Sequence, residues 1–285
     1  MASKMNRPVS VTEARREITR LLQTIRDRDY YYVVSDFFEL SAISVRNNVD
    51  YGPEREKFEK RYLDIASKYR KEQLEVFASA LGLFIGEINA AMNGGVPFRD
   101  FAGEIYMNSG TSNGKAGQFF TPYHVSHLMA EVNFDKDKLK AEIAADPDHV
   151  ITIAEPTCGA GGLIVAAIDV LKDAGINYAW NAFVDCGDID ARCVHMTYLT
   201  LSLLGVPAVV RRGDALALDY SETWYTPAYI FAWPHFKSRL HGGKYPATPT
   251  VQVATELVPV QAYEVQKAEP VPLPLVDENG QYSLF

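Results

Sequence analysis

The residues best suited to chemistry are a glycine-rich turn and two carboxylates, each placed where a predicted strand ends. Gly159-Ala160-Gly161-Gly162 follows the apolar stretch Val150 to Ala154. Glycines let the backbone approach a ligand closely, and the amides that open the following helix are free to donate hydrogen bonds. Asp188 could accept hydrogen bonds from ribose hydroxyls, and Asp214 could accept one from an exocyclic amine. Their structural alternatives are a tight turn, a helix cap and a Gly-Asp turn.

Alternating strands and helices must position these residues. The apolar pattern predicts strands at 150–154, 181–186, 208–212 and 228–232, with helices at 163–174 and 191–204. This alternation indicates an α/β fold with a parallel, doubly wound sheet. In such sheets ligands bind at the carboxyl ends of the strands, where the glycine turn and both carboxylates are expected.

The rest of the chain divides into two regions of different character. Residues 1–107 are predicted to be helical, with a helix from Ser10 to Ile25 and another from Arg55 to Met92. Residues 237–285 contain 6 of the 15 prolines, which is typical of an extended tail. Residues 108–236 therefore form the predicted ligand-binding and catalytic domain.

The net charge of -8 excludes a nucleic-acid partner only if the charge is evenly spread. Residues 1–75 contain 15 basic and 13 acidic side chains, whereas the following residues contain 13 basic and 23 acidic ones. Because only a local basic surface matters for binding phosphate, contact with DNA stays open.

Cysteine usage and the lack of a leader-like segment indicate a cytoplasmic protein. Cys158, Cys186 and Cys193 form no CxxC pair and are predicted to be free thiols. No charged-then-apolar segment opens the sequence, and the apolar stretches are too short or too interrupted to span a membrane. We expect neither a membrane partner nor a metal site.

The segment Gly117-Gln118-Phe119-Phe120-Thr121-Pro122 resembles the cofactor-binding motif of adenine-specific N6 DNA methyltransferases. The similarity is greatest to modification subunits of type I restriction systems, which also contain segments similar to 100–106 and 155–162. The resemblance covers about residues 100–236 and implies a Rossmann-like fold, S-adenosylmethionine as cofactor, DNA as substrate and a specificity subunit as partner. The implied cofactor-binding residues are Gln118, Phe119, Phe120, Thr121, Pro122, Glu155, Pro156, Thr157, Gly159, Gly161, Gly162, Asp188 and Asp214.

Local physics agrees with the first motif. Thr121 is a suitable helix N-cap and Pro122 a suitable first helical residue. The helix that follows would carry Val125, Leu128, Met129 and Val132 on one face. Phe119 and Phe120 precede this helix, and one of them could cover an adenine ring, or both could belong to the core.

The catalytic tetrapeptide of this family, Asn/Asp-Pro-Pro-aromatic, is matched here by Trp233-Pro234-His235-Phe236. The resemblance implies that this loop accepts hydrogen bonds from the target amine and stacks on a flipped base. Trp233, however, offers an indole donor and no acceptor, while His235 could accept through one ring nitrogen. In addition, four strands are predicted here and a complete sheet of the family has seven, so the domain is expected to stop after the fourth strand.

The sequence leaves three functions open. The first is S-adenosylmethionine-dependent methylation of adenine N6 in DNA, by a chain whose catalytic loop departs from the family pattern and whose competence is therefore open. The second is a catalytically inactive scaffold associated with DNA or a sliding clamp. The third is methylation of an RNA or a protein amide, against which the helical region and the type I resemblance argue.

Two further segments suggest binding partners. Basic residues between Arg55 and Lys71 could contact phosphates, or they could form a solvated helix face balanced by neighbouring acids. The C-terminal Gln281-Tyr282-Ser283-Leu284-Phe285 resembles the peptide that binds the bacterial replicative sliding clamp. Leu284 and Phe285 would be its apolar anchors and Gln281 its polar contact, and the alternative is a frayed terminus.

Overall fold

The computed structural model describes residues 11–107 and 120–240. The chain divides into two units, Met1–Val251 and Gln252–Phe285, and the second lies outside the described residues. The first unit has an α/β fold with a helical N-terminal region, as the sequence predicts.

The described sheet has four strands in the order β1-β2-β3-β4. The strands are β1 (Ile151–Glu155), β2 (Ala182–Asp188), β3 (Ala208–Asp214) and β4 (Asp219–Tyr225). The first three are parallel, with Ile151 opposite Ala182 and Val184 opposite Ala208. Since β1 to β3 run the same way, their last residues lie along one edge of the sheet, which confirms the predicted meeting of the strand ends.

The helices of the described residues either pack on this sheet or precede it. They are α1 (Val11–Leu22), α2 (Tyr30–Val49), α3 (Arg55–Ala66), α4 (Lys71–Met92), α5 (Phe101–Tyr106), α6 (Tyr123–Asn133), α7 (Lys136–Ala145), α8 (Gly162–Asp173), α9 (Tyr178–Asn181), α10 (Ala191–Leu203), α11 (Pro227–Phe231) and α12 (Trp233–Arg239). Several begin at an aspartate whose side chain accepts an amide hydrogen bond from the first turn, as Asp29 does for α2 and Asp190 for α10.

The single helix predicted from Arg55 to Met92 is two helices, α3 and α4. The chain leaves the helical conformation at Arg70, which is extended with φ -73° and ψ 160°. The Gln73 side chain accepts a hydrogen bond from the Arg70 amide at 2.9 Å, so the second helix starts with its own cap.

The N-terminal helices and the sheet share one hydrophobic core. Trp224 of β4 is fully buried, and its ring lies 4.8 Å from that of Phe58 on α3. Within the described residues, α4 is the one helix long and apolar enough to cross a membrane. Its side chains Phe77, Phe84 and Ile88 are buried in the shared core, so we interpret it as a core helix.

The strand predicted at 228–232 is wrong, because that segment forms helix α11. The chain turns at Thr226, whose hydroxyl donates to the Val206 carbonyl at 2.7 Å and accepts from the Ala208 amide at 2.8 Å. Pro227 then occupies the first helical position, where its missing amide hydrogen costs nothing. The fourth strand is instead β4, which pairs with β3 in the antiparallel direction.

Candidate functional site

The glycine turn leaves β1 and is fixed to neighbouring elements by backbone and side-chain hydrogen bonds. The Cys158 amide donates to the Gly187 carbonyl at 2.8 Å, and the Gly159 amide donates to Asp188 Oδ2 at 2.9 Å. The Thr197 hydroxyl on α10 donates to the Gly159 carbonyl at 2.9 Å. The carboxylate that ends β2 therefore shapes the turn that ends β1, as well as facing any ligand there.

Glycine is required in this turn because of backbone conformation and space. Gly159 and Gly161 have φ of 54° and 90°, a region that side chains with a Cβ rarely adopt. A Cβ at Gly159 would lie 3.1 Å from the Phe120 ring. The segment ahead of α6 thus reaches the turn, and two motifs far apart in sequence meet.

These elements enclose a cavity of about 390 Å³, a size suited to a small-molecule ligand. Its lining residues are Asp100, Phe120, Thr121, Ser126, Glu155, Thr157, Cys158, Gly159, Ala160, Gly162, Leu163, Asp188 and Cys193. Seven of the predicted cofactor-binding residues are among them, so the structure brings together the core of that set.

The cavity is acidic. Asp100, Glu155 and Asp188 supply three carboxylates, whereas no described lining residue is Lys, Arg or His. Burial raises the pKa of Asp188, although hydrogen bonds from the amides of Asp190 and Gly159 act in the opposite direction. Burial also raises the pKa of the Cys193 thiol, so this free cysteine stays neutral. A ligand that carries positive charge is favoured here.

Asp100 is a site residue that the sequence reasoning did not select. It is 6% exposed, and its Oδ1 caps α5 by accepting from the Gly103 amide at 2.8 Å. Burial raises its pKa to about 6, against the opposing influence of that amide and of Arg15. The available signal was its place at the start of the 100–106 segment, with Gly103 three residues later.

Other predicted cofactor residues lie beside the cavity or beyond the described chain. Gly161 forms the N-terminal end of α8 against Thr197, and Pro156 lies in the turn. Gln118 and Phe119 fall outside the described residues.

The start of α6 differs from the prediction. Thr121 does not cap the helix, because α6 begins at Tyr123 and Pro122 occupies the cap position. Ala130 packs against α8, so the opposite face of α6 is left open. The predicted apolar face is therefore exposed, and its members are Val125, Leu128, Met129 and Val132.

Asp214 does not lie among the described residues of the cavity. Its Oδ1 accepts hydrogen bonds from the amides of Leu216 and Ala217 at 2.8 Å and 3.1 Å, within the turn between β3 and β4. The Gly-Asp turn, which was the structural alternative, describes this residue, so the predicted amine contact is not supported by its position.

The predicted catalytic tetrapeptide lies at the wrong end of the sheet. Trp233 to Phe236 belong to α12, and the His235 ring stacks on Trp180 with centroids 3.9 Å apart. Trp180 precedes β2, whereas Asp188 ends it, and a seven-residue strand separates its two ends by about 20 Å. Phe236 is buried against Phe183, so these residues are core and helix surface and not a loop at the cavity.

The basic residues around α3 are largely paired with acids. Their ion pairs are Lys57 with Glu54, Lys60 with Asp64, Arg61 with Glu39 and Glu222, Arg70 with Asp27, and Lys71 with Glu75. Tyr69 is buried, and its hydroxyl donates to Asp36 at 2.7 Å. This arrangement supports the solvated, charge-balanced helix face. The predicted clamp-binding residues Gln281, Leu284 and Phe285 lie outside the described residues.

Comparison with known proteins identifies the family of this chain. The N-6 DNA Methylase family model matches residues 99–264, which is more than half of the sequence. The chain belongs to this family. Membership implies S-adenosylmethionine as the cofactor, as the 117–122 and 155–162 segments suggested.

The chain is also similar to a curated relative and to solved structures. It is 30% identical over 204 residues to the type II methyltransferase M.MamI of Microbacterium ammoniaphilum, covering 67% of this chain and 53% of the relative. It therefore spans about half the length of that relative. A putative class I S-adenosylmethionine-dependent methyltransferase from Listeria monocytogenes matches at 15% identity and a TM-score of 0.38, covering 72% of this chain and 55% of the other. A type I restriction-modification methyltransferase subunit from Streptococcus thermophilus matches at 14% identity and a TM-score of 0.36, covering 74% and 59%.

Proposed function

We propose that this chain binds S-adenosylmethionine in the acidic cavity and transfers its methyl group to the N6 amine of adenine in DNA. The observation that supports this most is the meeting of three elements at one cavity. These are the glycine turn after β1, Asp188 at the end of β2, and Phe120 with Thr121 ahead of α6. They occur in a chain of the N-6 DNA Methylase family.

The residues present fit this cofactor. Asp188 would accept hydrogen bonds from the ribose hydroxyls, because each of its oxygens keeps a lone pair beside the amide bond it already accepts. Gly159 would allow the ligand to approach the turn, and the Phe120 ring would cover the adenine. Glu155, which accepts from the Thr157 amide and hydroxyl at 3.0 Å, would hold the wall of the turn in place.

When bound, the cofactor would supply a methyl group on a positively charged sulfur. The amine nitrogen would form a bond to the methyl carbon as the carbon–sulfur bond breaks, the sulfur would leave as a neutral thioether, and the nitrogen would lose its proton to water. The protein then has to hold donor and acceptor together, and proximity accounts for most of the gain in rate. The carboxylates of the cavity favour the positive charge of the donor, and Phe120 and the turn fix its position.

A second function is favoured by the position of α12. Among the described residues, Trp233 to Phe236 is the only segment matched to the family's catalytic tetrapeptide. It lies at the amino ends of the strands, away from the cavity. A protein with this arrangement could bind the cofactor without transferring its methyl group, and serve as a scaffold on DNA. RNA or protein amides are less favoured, since the family match is to DNA methylases.

Calorimetric titration with S-adenosylmethionine, followed by transfer of a labelled methyl group to adenine-containing DNA, tests both functions. We expect binding and label in N6-methyladenine. Binding with no label in DNA would support the scaffold, and no binding by the folded protein would contradict the proposed cofactor site.

We predict that the double variant Trp233→Ala, His235→Ala binds S-adenosylmethionine within about twofold of the unsubstituted protein, since roughly 20 Å of β2 separates them from Asp188. Any methyl transfer to DNA should be equally unaffected. Calorimetry and the labelled assay measure these, with circular dichroism as the test of folding. A tenfold loss of cofactor affinity or of methyl transfer in a folded variant would show that the tetrapeptide belongs to the cofactor site.

DNA, a specificity subunit, the bacterial sliding clamp and a cytoplasmic location are proposals that go with this function. The clamp is the most directly testable. Deleting Gln281 to Phe285 should abolish binding to purified clamp while leaving cofactor affinity unchanged, as measured by surface plasmon resonance and calorimetry. A full-length chain with Leu284→Ala and Phe285→Ala serves as the matched variant. Unchanged clamp binding by either would contradict the proposal.

A further inference from the structure

The cavity contains more negative charge than a ribose contact requires. Asp188 shapes the glycine turn, Glu155 accepts from Thr157 and Asp100 Oδ1 accepts from the Gly103 amide, but none of these contacts neutralises a carboxylate of the cavity. Asp100 comes from the loop before α5, and the predicted cofactor motifs do not include it. One amide hydrogen bond does not neutralise a carboxylate that is 6% exposed, so a cation in the adjoining cavity would be favoured.

We infer that Asp100 makes this cavity select the positively charged S-adenosylmethionine over its neutral-sulfur product, S-adenosylhomocysteine. This inference rests on the proposed function, because it concerns the same cavity. It assigns a ligand-selecting role to a residue that is not among the predicted cofactor-binding residues.

The position of Asp100 supports this role. A Cβ added at Gly162 would lie 3.3 Å from the Asp100 carboxylate, so the carboxylate lies against the beginning of α8. Asp100 also lines an adjoining depression together with Phe120 and Thr121. The carboxylate is therefore situated between the glycine turn and the segment ahead of α6, which are the two elements proposed to hold the cofactor.

Charged groups on several elements surround Asp100 and the cavity that it lines. Glu155 on β1 and Asp188 on β2 add negative charge, and Cys158 and Cys193 are buried free thiols. Arg15 on α1 is the cation that lowers the pKa of Asp100, and the Tyr123 hydroxyl on α6 also feels the Asp100 charge. Arg15 is itself paired with two other carboxylates, those of Glu87 and Glu104.

A pH dependence follows from this environment. Burial raises the pKa of Asp100 to about 6. The carboxylate is therefore charged at pH 7.5 and becomes neutral as the pH falls below its pKa. The charged form attracts a sulfonium ion, and the neutral form distinguishes poorly between a sulfonium and a thioether. Selectivity should therefore be present above about pH 6 and be lost below it. Burial also raises the pKa of Asp188, so this carboxylate would add to the same pH dependence of selectivity.

Calorimetric titration of the full chain with each ligand at pH 7.5 and pH 5.5 tests the inference. Asp100→Asn should reduce the preference for S-adenosylmethionine over S-adenosylhomocysteine by about tenfold at pH 7.5. The unsubstituted protein should approach the preference of the variant at pH 5.5, and the variant should change little with pH. Asp137→Asn, which removes an exposed carboxylate on α7, is the charge-matched control and should behave like the unsubstituted protein.

The outcomes separate this inference from the proposed function. If neither ligand binds the unsubstituted protein, the proposed cofactor site is wrong. If both bind but Asp100→Asn weakens them equally, Asp100 does not select for the sulfonium and the inference is wrong. Thermal melting without ligand checks the fold. The variant should melt no lower at pH 7.5, because it removes a buried ionised carboxylate.

Discussion

Replacing Asp188 by alanine is expected to weaken S-adenosylmethionine binding about 100-fold while the protein stays folded. The carboxylate accepts hydrogen bonds from the amides of Gly159 and Asp190 at 2.9 Å, and it is the proposed acceptor for the ribose hydroxyls. Hydrogen bonds to a charged group contribute about 1.5–3 kcal/mol each, so losing a ligand contact together with the support of the turn reaches this size. Calorimetric titration of the variant measures the change in affinity.

Asp214→Ala is the matched control for this experiment. Asp214 also ends a parallel strand, and its carboxylate serves the turn before β4. We expect cofactor affinity within about twofold of the unsubstituted protein, because a neutral side chain at this place changes no cavity contact. Equal losses for both variants would show that Asp214 contacts the cofactor, as the sequence predicts.

Replacing Trp224 by alanine is expected to lower the free energy of unfolding by about 3–5 kcal/mol. Trp224 is fully buried on β4, and its ring contacts Phe58 on α3, His195 and Tyr198 on α10. The Arg46 guanidinium on α2 lies 5.6 Å from the ring. Removing the Trp224 ring opens a cavity where the N-terminal helices meet the sheet, so both parts should lose stability together.

Urea unfolding followed by circular dichroism measures this effect. Phe231→Ala is the control, since this aromatic side chain is 74% exposed and its loss should change the free energy of unfolding by at most about 0.5 kcal/mol. A single transition shifted to lower urea is expected for Trp224→Ala. A variant in which only the sheet or only the helices unfold early would contradict a shared core.

The sequence predicts the carboxyl ends of β1 to β3 well, because the positions of these strands depend on residues close together in the chain. Short β-branched runs followed by glycine or aspartate give β1, β2 and β3 within about two residues of their observed bounds. Three parallel strands then bring Glu155 and Asp188 together by geometry alone. The glycine turn is equally local, since Gly159 and Gly161 adopt positive φ in their own loop.

The prediction of a strand at 228–232 is wrong for a reason that is visible in the sequence. The run Ala228 to Ala232 is short and apolar, and periodicity does not distinguish a short strand from a short helix. Thr226-Pro227 ahead of it is a helix-start signal, the same one recognised at Thr121-Pro122. Reading the run as a strand placed Trp233 to Phe236 at the cavity, and reading it as α11 places them at the opposite end.

By itself, the sequence determined the α/β class, the glycine turn, the Asp188 position and the resemblance that family membership confirms. Only the tertiary structure decided that Phe120 reaches Gly159 and that Asp100 lies against Gly162. The physical reason is the range of the contacts. A turn or a strand depends on neighbouring residues, whereas a cavity wall joins segments about 40 to 60 residues apart, which come together only when the shared core forms.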